Sequence, residues 1–198
     1  MLSRTLLLSF MAISALAVTQ SHDWKPGDPA PPFMASTIDG DRVTIKELNP
    51  GGPVFLYFIK DGDQINTAAS SFVHRIIHAY MPAKAKWYGV FDGDEAHARS
   101  WLAASNTPYR ILMDRDLAVV HAFQVQSSPE VIEIDGNGKI VKAWMGLSGA
   151  GMKSLNRAVA KANDVKPEPL DVTGAPSNTE YGEHYGATGP RGVGGTGG

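Results

Sequence analysis

The chain carries the sequence VFLYFIKDGDQINTAASSFVHRIIHAY at residues 54–80, and this stretch decides the fold. Residues 54–59 form an unbroken run of β-branched and aromatic side chains, which is typical of a strand buried on both faces of a sheet. After Lys60-Asp61-Gly62-Asp63 the apolar residues recur at helical spacing, so the pattern predicts a helix that Asp63 caps and Pro82 ends. Such a strand–loop–helix unit is where α/β proteins commonly place their chemistry.

The predicted helix has one apolar face and one polar face. The apolar face holds Ile65, Ala69, Phe72, Val73, Ile76, Ile77 and Tyr80, and the polar face holds Thr67, Ser71, His74 and His78. His74 and His78 have the i, i+4 spacing of metal ligands, but no acidic residue stands at a neighbouring turn. We therefore expect solvated surface histidines and no metal site.

The loop FIKDGDQIN, residues 58–66, resembles the active-site loop of the thioredoxin-like superfamily, in particular its redoxin and peroxiredoxin branch of the AhpC/TSA type. That branch carries C-x-x-C or T-x-x-C at this place. On this pattern Asp63 takes the first position and Asn66 takes the position of the reactive cysteine. The resemblance implies an α/β thioredoxin-like fold, with a central mixed sheet flanked by helices and a C-terminal ββα unit, but without the nucleophile.

The rest of the chain predicts elements in an order that agrees with this resemblance. We expect strands at 33–37, 42–45, 87–91, 109–113, 130–134 and 139–145, and helices at 95–105, 117–123 and 148–163. A βαβ half followed by a ββα half is the thioredoxin order. The resemblance therefore covers residues 25–163, as one domain.

A second part of the resemblance is Ser127-Ser128-Pro129, which stands just before an apolar strand. Thioredoxin-like proteins place a cis-proline there, facing the active-site loop, and proline adopts the cis form at low cost. The alternative is an ordinary proline at the start of a strand. Peroxiredoxins usually have an arginine at this place, so Pro129 favours a thioredoxin-like redoxin over a peroxidase.

These two parts predict a shallow groove that could bind an extended peptide or a protein partner by strand-like pairing. Its candidate residues are Lys60, Asp61, Gly62 and Gln64 on one side, and Ser127, Ser128 and Pro129 on the other. Asp63 and Asn66 are interpreted as vestigial active-site positions. The alternative is that both only cap the helix.

Composition narrows the function further. The chain has 198 residues, a net charge of −2 and no cysteine, so nothing favours nucleic-acid binding, and thiolate catalysis and disulfides are excluded. We expect no cofactor. The favoured hypothesis is a binding or structural module without cysteine redox chemistry. The alternative, which rests on the resemblance alone, is an antioxidant or thiol-type oxidoreductase that acts through a cofactor or through a partner's thiols.

Both ends of the chain differ from the domain. Arg4 precedes the apolar residues 6–18, and Ala15-Leu16-Ala17 fits a cleavage site, so residues 1–17 are predicted to be a secretory signal peptide, followed by a lead at 18–24. We expect a secreted or periplasmic protein with no membrane span after cleavage, the alternative being an uncleaved anchor. Residues 164–198 are rich in glycine and proline and predict a disordered tail, although glycine at every third residue from Gly186 leaves a collagen-like alternative.

Overall fold

A computed structural model describes residues 22–105 and 108–186 of the chain. Within them, seven strands form one mixed sheet in the order β2-β1-β5-β4-β3-β6-β7. The strands are β1 Met34–Thr37, β2 Arg42–Thr44, β3 Val54–Ile59, β4 Lys86–Phe91, β5 Arg110–Met113, β6 Glu130–Ile134 and β7 Ile140–Met145. The helices are α1 Ile45–Leu48, α2 Gln64–Ala79, α3 Glu95–Ser105, α4 Ala118–Ala122 and α5 Gly149–Ala162. The bounds agree closely with those predicted from the sequence.

Strand β3 lies inside the sheet and every one of its residues is buried, as the apolar run predicts. It pairs in parallel with β4 and antiparallel with β6. Side chains alternate between the two faces of a strand, and here Phe55, Tyr57 and Ile59 join one core cluster while Val54, Leu56 and Phe58 join the other. Helices α2 and α5 contribute to the first cluster and α4 to the second, so the thioredoxin-like architecture is confirmed.

The prediction that the polar face of α2 is solvated is wrong at His74. Its side chain is buried, and its Nε2 lies 3.3 Å from the hydroxyl of Tyr109, because the chain leading into β5 covers this side of the helix. Burial first, and the neighbouring His78 second, lower the pKa of His74 to about 4. His78 is exposed as expected. In the described ranges, no group of three or more histidines and acidic residues could hold a metal ion.

The sequence did not predict where helix α1 begins, because the residues that indicate it span only a few positions. The sequence predicts a strand as far as residue 45, whereas a helix already begins there. Thr44 and Glu47 form a capping box in which the Thr44 N–H donates to the Glu47 carboxylate at 2.6 Å. Such a reciprocal cap satisfies backbone donors that the first turn of a helix leaves free.

Residues 164–186 differ from the predicted disordered tail, because they pack along the domain. The Asn156 side chain donates to the Glu168 carbonyl at 2.8 Å, and the Glu168 N–H donates to the Tyr80 hydroxyl at 3.0 Å. Leu170 and Val172 contact the first core cluster.

The predicted signal peptide and residues 187–198 lie outside the described residues. In the part of the chain that is described, no helix has both the length and the apolar character needed to cross a membrane.

Candidate functional site

The first wall of the predicted groove is the loop between β3 and α2. Gly62 turns the chain there with a φ of +76°, a backbone conformation that glycine adopts without a steric penalty. Asp63 follows as the N-cap of α2, and its Oδ1 accepts the backbone N–H of Asn66 at 2.9 Å. The Asp63 carboxylate is therefore held in place, almost entirely buried, at the end of the central strand.

The second wall is the segment before β6, and the fold brings it against the first. The Ser128–Pro129 peptide bond is cis, as the resemblance implies. The Ser128 hydroxyl donates to Oδ2 of Asp63 at 3.0 Å, across 65 residues of sequence. We use "the groove" for residues 60–66 together with residues 126–129.

Residues 180–185 of the same chain, which we call the C-terminal segment, already fill the groove. Its backbone pairs with that of the second wall. The Gly182 N–H donates to the Ser128 carbonyl at 2.6 Å, the Ser128 N–H to the Glu183 carbonyl at 3.3 Å, and the Tyr185 N–H to the Gln126 carbonyl at 2.9 Å. The pairing is an isolated antiparallel bridge between Ser127 and His184, beside the cis-proline.

Asp63 joins the C-terminal segment to the first wall as well. The backbone N–H of Glu183 donates to Asp63 Oδ2 at 2.5 Å. The carboxylate thus accepts from the amide of Asn66, the hydroxyl of Ser128 and the amide of Glu183. A buried carboxylate requires such donors to offset the loss of water, and one of the three comes from the C-terminal segment.

Lys60 and Tyr185 form the other end of the groove. The Lys60 ammonium lies 3.6 Å from the Asp92 carboxylate, 3.9 Å from that of Glu183, and 5.4 Å from the centre of the Tyr185 ring. Tyr185 is buried within the second core cluster. Burial raises the pKa of its phenol well above the usual range, so the ring stays neutral. The groove therefore places one cation beside an enclosed site that holds an aromatic ring.

Asn66 stands where the resemblance places the reactive cysteine. It is fully buried, and neither its side-chain oxygen nor its side-chain nitrogen has a hydrogen-bond partner among the described residues. Its backbone carbonyl accepts from the hydroxyl of Tyr57 at 3.3 Å. A carboxamide cannot serve as the thiolate of disulfide exchange, so the arrangement can position a strand but places no sulfur nucleophile beside it.

Two predicted groove residues face elsewhere. Asp61 turns toward α3, where its carboxylate lies 2.5 Å from Nδ1 of His97 and thereby raises the pKa of that imidazole. Together they line a cavity of about 400 Å³ that also contains Phe91 and Trp101. Gln64 is exposed at the start of α2. The sequence did not predict a role for Gly182 and Tyr185, whose only signal was a pair of tyrosines, Tyr181 and Tyr185, in a tail with few apolar residues.

Comparisons with known proteins agree with this architecture. A thiol-disulfide oxidoreductase thioredoxin domain from Bacteroides vulgatus has a TM-score of 0.59 at 18% identity, covering 69% of this chain and 99% of that one. A hypothetical protein from Sinorhizobium meliloti has a TM-score of 0.64 at 15% identity, covering 82% and 96%. A secreted disulfide oxidoreductase from Mycobacterium tuberculosis has a TM-score of 0.50 at 20% identity, covering 56% and 81%. At these identities the likeness shows the fold.

The sequence itself shows the family. No curated protein matches the chain at a significant level. The model of the AhpC/TSA family, in contrast, matches residues 26–143, which is more than half of the chain and includes both walls of the groove. Its cysteine positions are occupied here by other residues, since the chain contains no cysteine. This protein is a cysteine-free member of the AhpC/TSA family with a thioredoxin-like fold.

Proposed function

We propose that this protein is a binding module that has lost thiol chemistry and whose groove receives an extended polypeptide strand. The supporting observation is the C-terminal segment, which lies in the groove with its backbone hydrogen-bonded to Gln126 and Ser128. Backbone pairing at an exposed edge supplies affinity without any particular side-chain chemistry. Recognition of a strand therefore does not depend on the missing cysteines.

The residues at the former cysteine positions support the same proposal. Asp63 holds both walls together and accepts from the bound strand, while Asn66 is buried beneath it. Disulfide exchange needs a thiolate that attacks and leaves, and neither residue supplies one. The substitutions leave the shape of the groove and remove the nucleophile.

Export is the second part of the proposal. It rests on the apolar residues 6–18 behind Arg4, and one neighbour with this fold is described as secreted. The test is a fusion of residues 1–24 to a phosphatase that is active only outside the cytoplasm, with Leu7→Arg/Leu8→Arg as the control. Phosphatase activity that survives in the control, or is missing from both fusions, would contradict export through a signal peptide.

Binding is tested by freeing the groove after the protein has folded. A protease site is introduced at the exposed residues Ser177 and Asn178, the full chain is folded, and the linker is then cut. Cleavage removes the high effective concentration of a tethered strand, so a fluorescein-labelled peptide of residues 180–186 should exchange into the groove. Fluorescence anisotropy measures that exchange. A cleaved protein that keeps its circular dichroism spectrum but binds this peptide no better than a scrambled one would refute the proposal.

A further inference from the structure

The C-terminal segment shows which strands the groove would prefer. Resting on the binding function proposed above, we propose that the groove selects extended strands with a glycine and an aromatic residue three residues apart. We further propose that Gly182 and Tyr185 are the chain's own copy of this pattern, which a partner's strand must displace. The partner is thus defined as a polypeptide that presents this pattern in an exposed, extended segment.

The glycine position is set by Asp63. A Cβ atom built on Gly182 would lie well inside contact distance of the Asp63 carboxyl group. Asp63 cannot easily yield, since its two oxygens accept hydrogen bonds from Asn66, Ser128 and Glu183. Any side chain at this position would have to break at least one of those bonds, so the groove admits glycine there.

The aromatic position is set by the enclosed site beside Lys60 that the Tyr185 ring fills. The ring is 7% exposed and belongs to the second core cluster, and the Lys60 ammonium lies 5.4 Å from its centre. Among the described residues the Tyr185 hydroxyl has no hydrogen-bond partner, so the ring and not the hydroxyl is what this site recognises. A buried aromatic ring brings a large apolar area out of water, and a cation near its face adds to the attraction. Among the residues of the C-terminal segment this one carries most of the expected affinity.

The two residues between them contribute less to selection. The Glu183 side chain is 71% exposed and lies 3.9 Å from the Lys60 ammonium, so the ion pair is weak in water. His184 is exposed. Their backbone groups still pair with residues 126–129, and the Glu183 N–H donates to Asp63, so any residue except proline would supply these contacts. The pattern is therefore specified at its ends and tolerant in its middle.

The C-terminal segment competes with a partner's strand for the groove, because the residues that precede it hold it nearby. The Gly149 N–H donates to the Pro176 carbonyl at 2.9 Å, only a few residues before Glu180. A short tether of this kind gives an effective concentration in the millimolar range. An outside strand reaches the groove only when it outcompetes the tethered copy or when that copy is weakened.

The first experiment varies the peptide and leaves the protein unchanged. The cleaved protein is titrated with labelled peptides of residues 180–186 that carry Gly182→Ala, Tyr185→Ala, His184→Ala or Glu183→Gln. We expect losses of at least about tenfold for the first two and changes below about fivefold for the last two. If all five peptides, including the parent, bind equally, the groove binds strands, but the proposed preference for particular residues at positions 182 and 185 is wrong. If none binds, the proposed function itself fails.

The second experiment uses the uncut full chain and a matched pair of glycines. Gly182→Ala should expel the C-terminal segment, whereas Gly186→Ala should not, because a Cβ at Gly186 meets nothing within 4 Å. The labelled parent peptide should bind the Gly182→Ala protein at least about tenfold more tightly than the wild type or the Gly186→Ala protein. Equal binding to all three would overturn the competition.

Discussion

Glu183 donates its backbone N–H to the carboxylate of Asp63, which lies 120 residues earlier in the chain. Asp63 is also the N-cap of α2 and the acceptor of the Ser128 hydroxyl. One side chain thus connects the helix that follows the central strand, the cis-proline segment and the C-terminal segment. These hydrogen bonds hold the C-terminal segment at the loop where the resemblance places an active site.

The buried amide of Asn66 leads to a prediction about stability. Because neither polar atom of its side chain has a protein partner, replacing it by leucine, which has a similar size, should raise the free energy of unfolding by about 1 kcal/mol. Chemical denaturation measures the change. The matched control is Asn156→Leu, since the Asn156 amide accepts from the Tyr80 hydroxyl at 2.9 Å and donates to the Glu168 carbonyl at 2.8 Å. That variant should lose about 1–3 kcal/mol, and a loss of similar size in both variants would contradict the prediction.

His74 should make the protein less stable in mild acid. Its pKa is lowered to about 4 in the folded state by burial and by His78, against an ordinary value of 6.5. The neutral ring favours folding, so this contribution is present above pH 6.5 and is lost as the pH falls toward 4. The full loss is about 3 kcal/mol. Denaturation at pH 7, 5.5 and 4 should show a shallower decline for His74→Gln than for the wild type. Parallel curves for the two proteins would refute it.

The ionisation of Glu133 should make the protein less stable as the pH rises, which is the opposite of the effect expected for His74. Burial raises its pKa to about 7, against the lowering effect of Lys161 and Lys142. The protonated carboxyl favours folding, so its contribution is complete below pH 4.5 and is lost as the pH rises through 7. Glu133→Gln should therefore raise the melting temperature at pH 8 and change it little at pH 4.5. The exposed Glu168→Gln serves as the control, and an equal effect of both variants at pH 8 would exclude this account.

Thiol chemistry gives a prediction of a different kind. The protein should neither reduce insulin disulfides in the presence of dithiothreitol nor consume hydrogen peroxide beyond a heat-denatured sample, because its sequence contains no cysteine that could supply a thiolate. Turbidity and peroxide assays measure these rates. Turnover above the denatured control would show that a redox role persists through a cofactor or a partner's thiols.

The fold could be predicted from the sequence because its signals are local. The apolar run at 54–59 predicted a doubly buried strand and the helical period after Asp63 predicted α2, because periodicity depends on side-chain type over a few residues. The cis bond before Pro129 was expected from the resemblance, and proline is the residue that adopts it at low cost. The absence of a thiol nucleophile followed from the amino-acid composition alone, since the chain contains no cysteine.

The occupant of the groove was decided by tertiary structure. Low apolar content after residue 164 predicted disorder, yet Tyr185 is buried and the backbone of the C-terminal segment pairs with Gln126 and Ser128. His74 likewise sits at a polar position of α2 and is buried by Tyr109. Periodicity records which face of one element is apolar, but it carries no information about what another segment places against that face. Whether a polar segment becomes ordered depends on the backbone partners and the cavity that the assembled fold offers it.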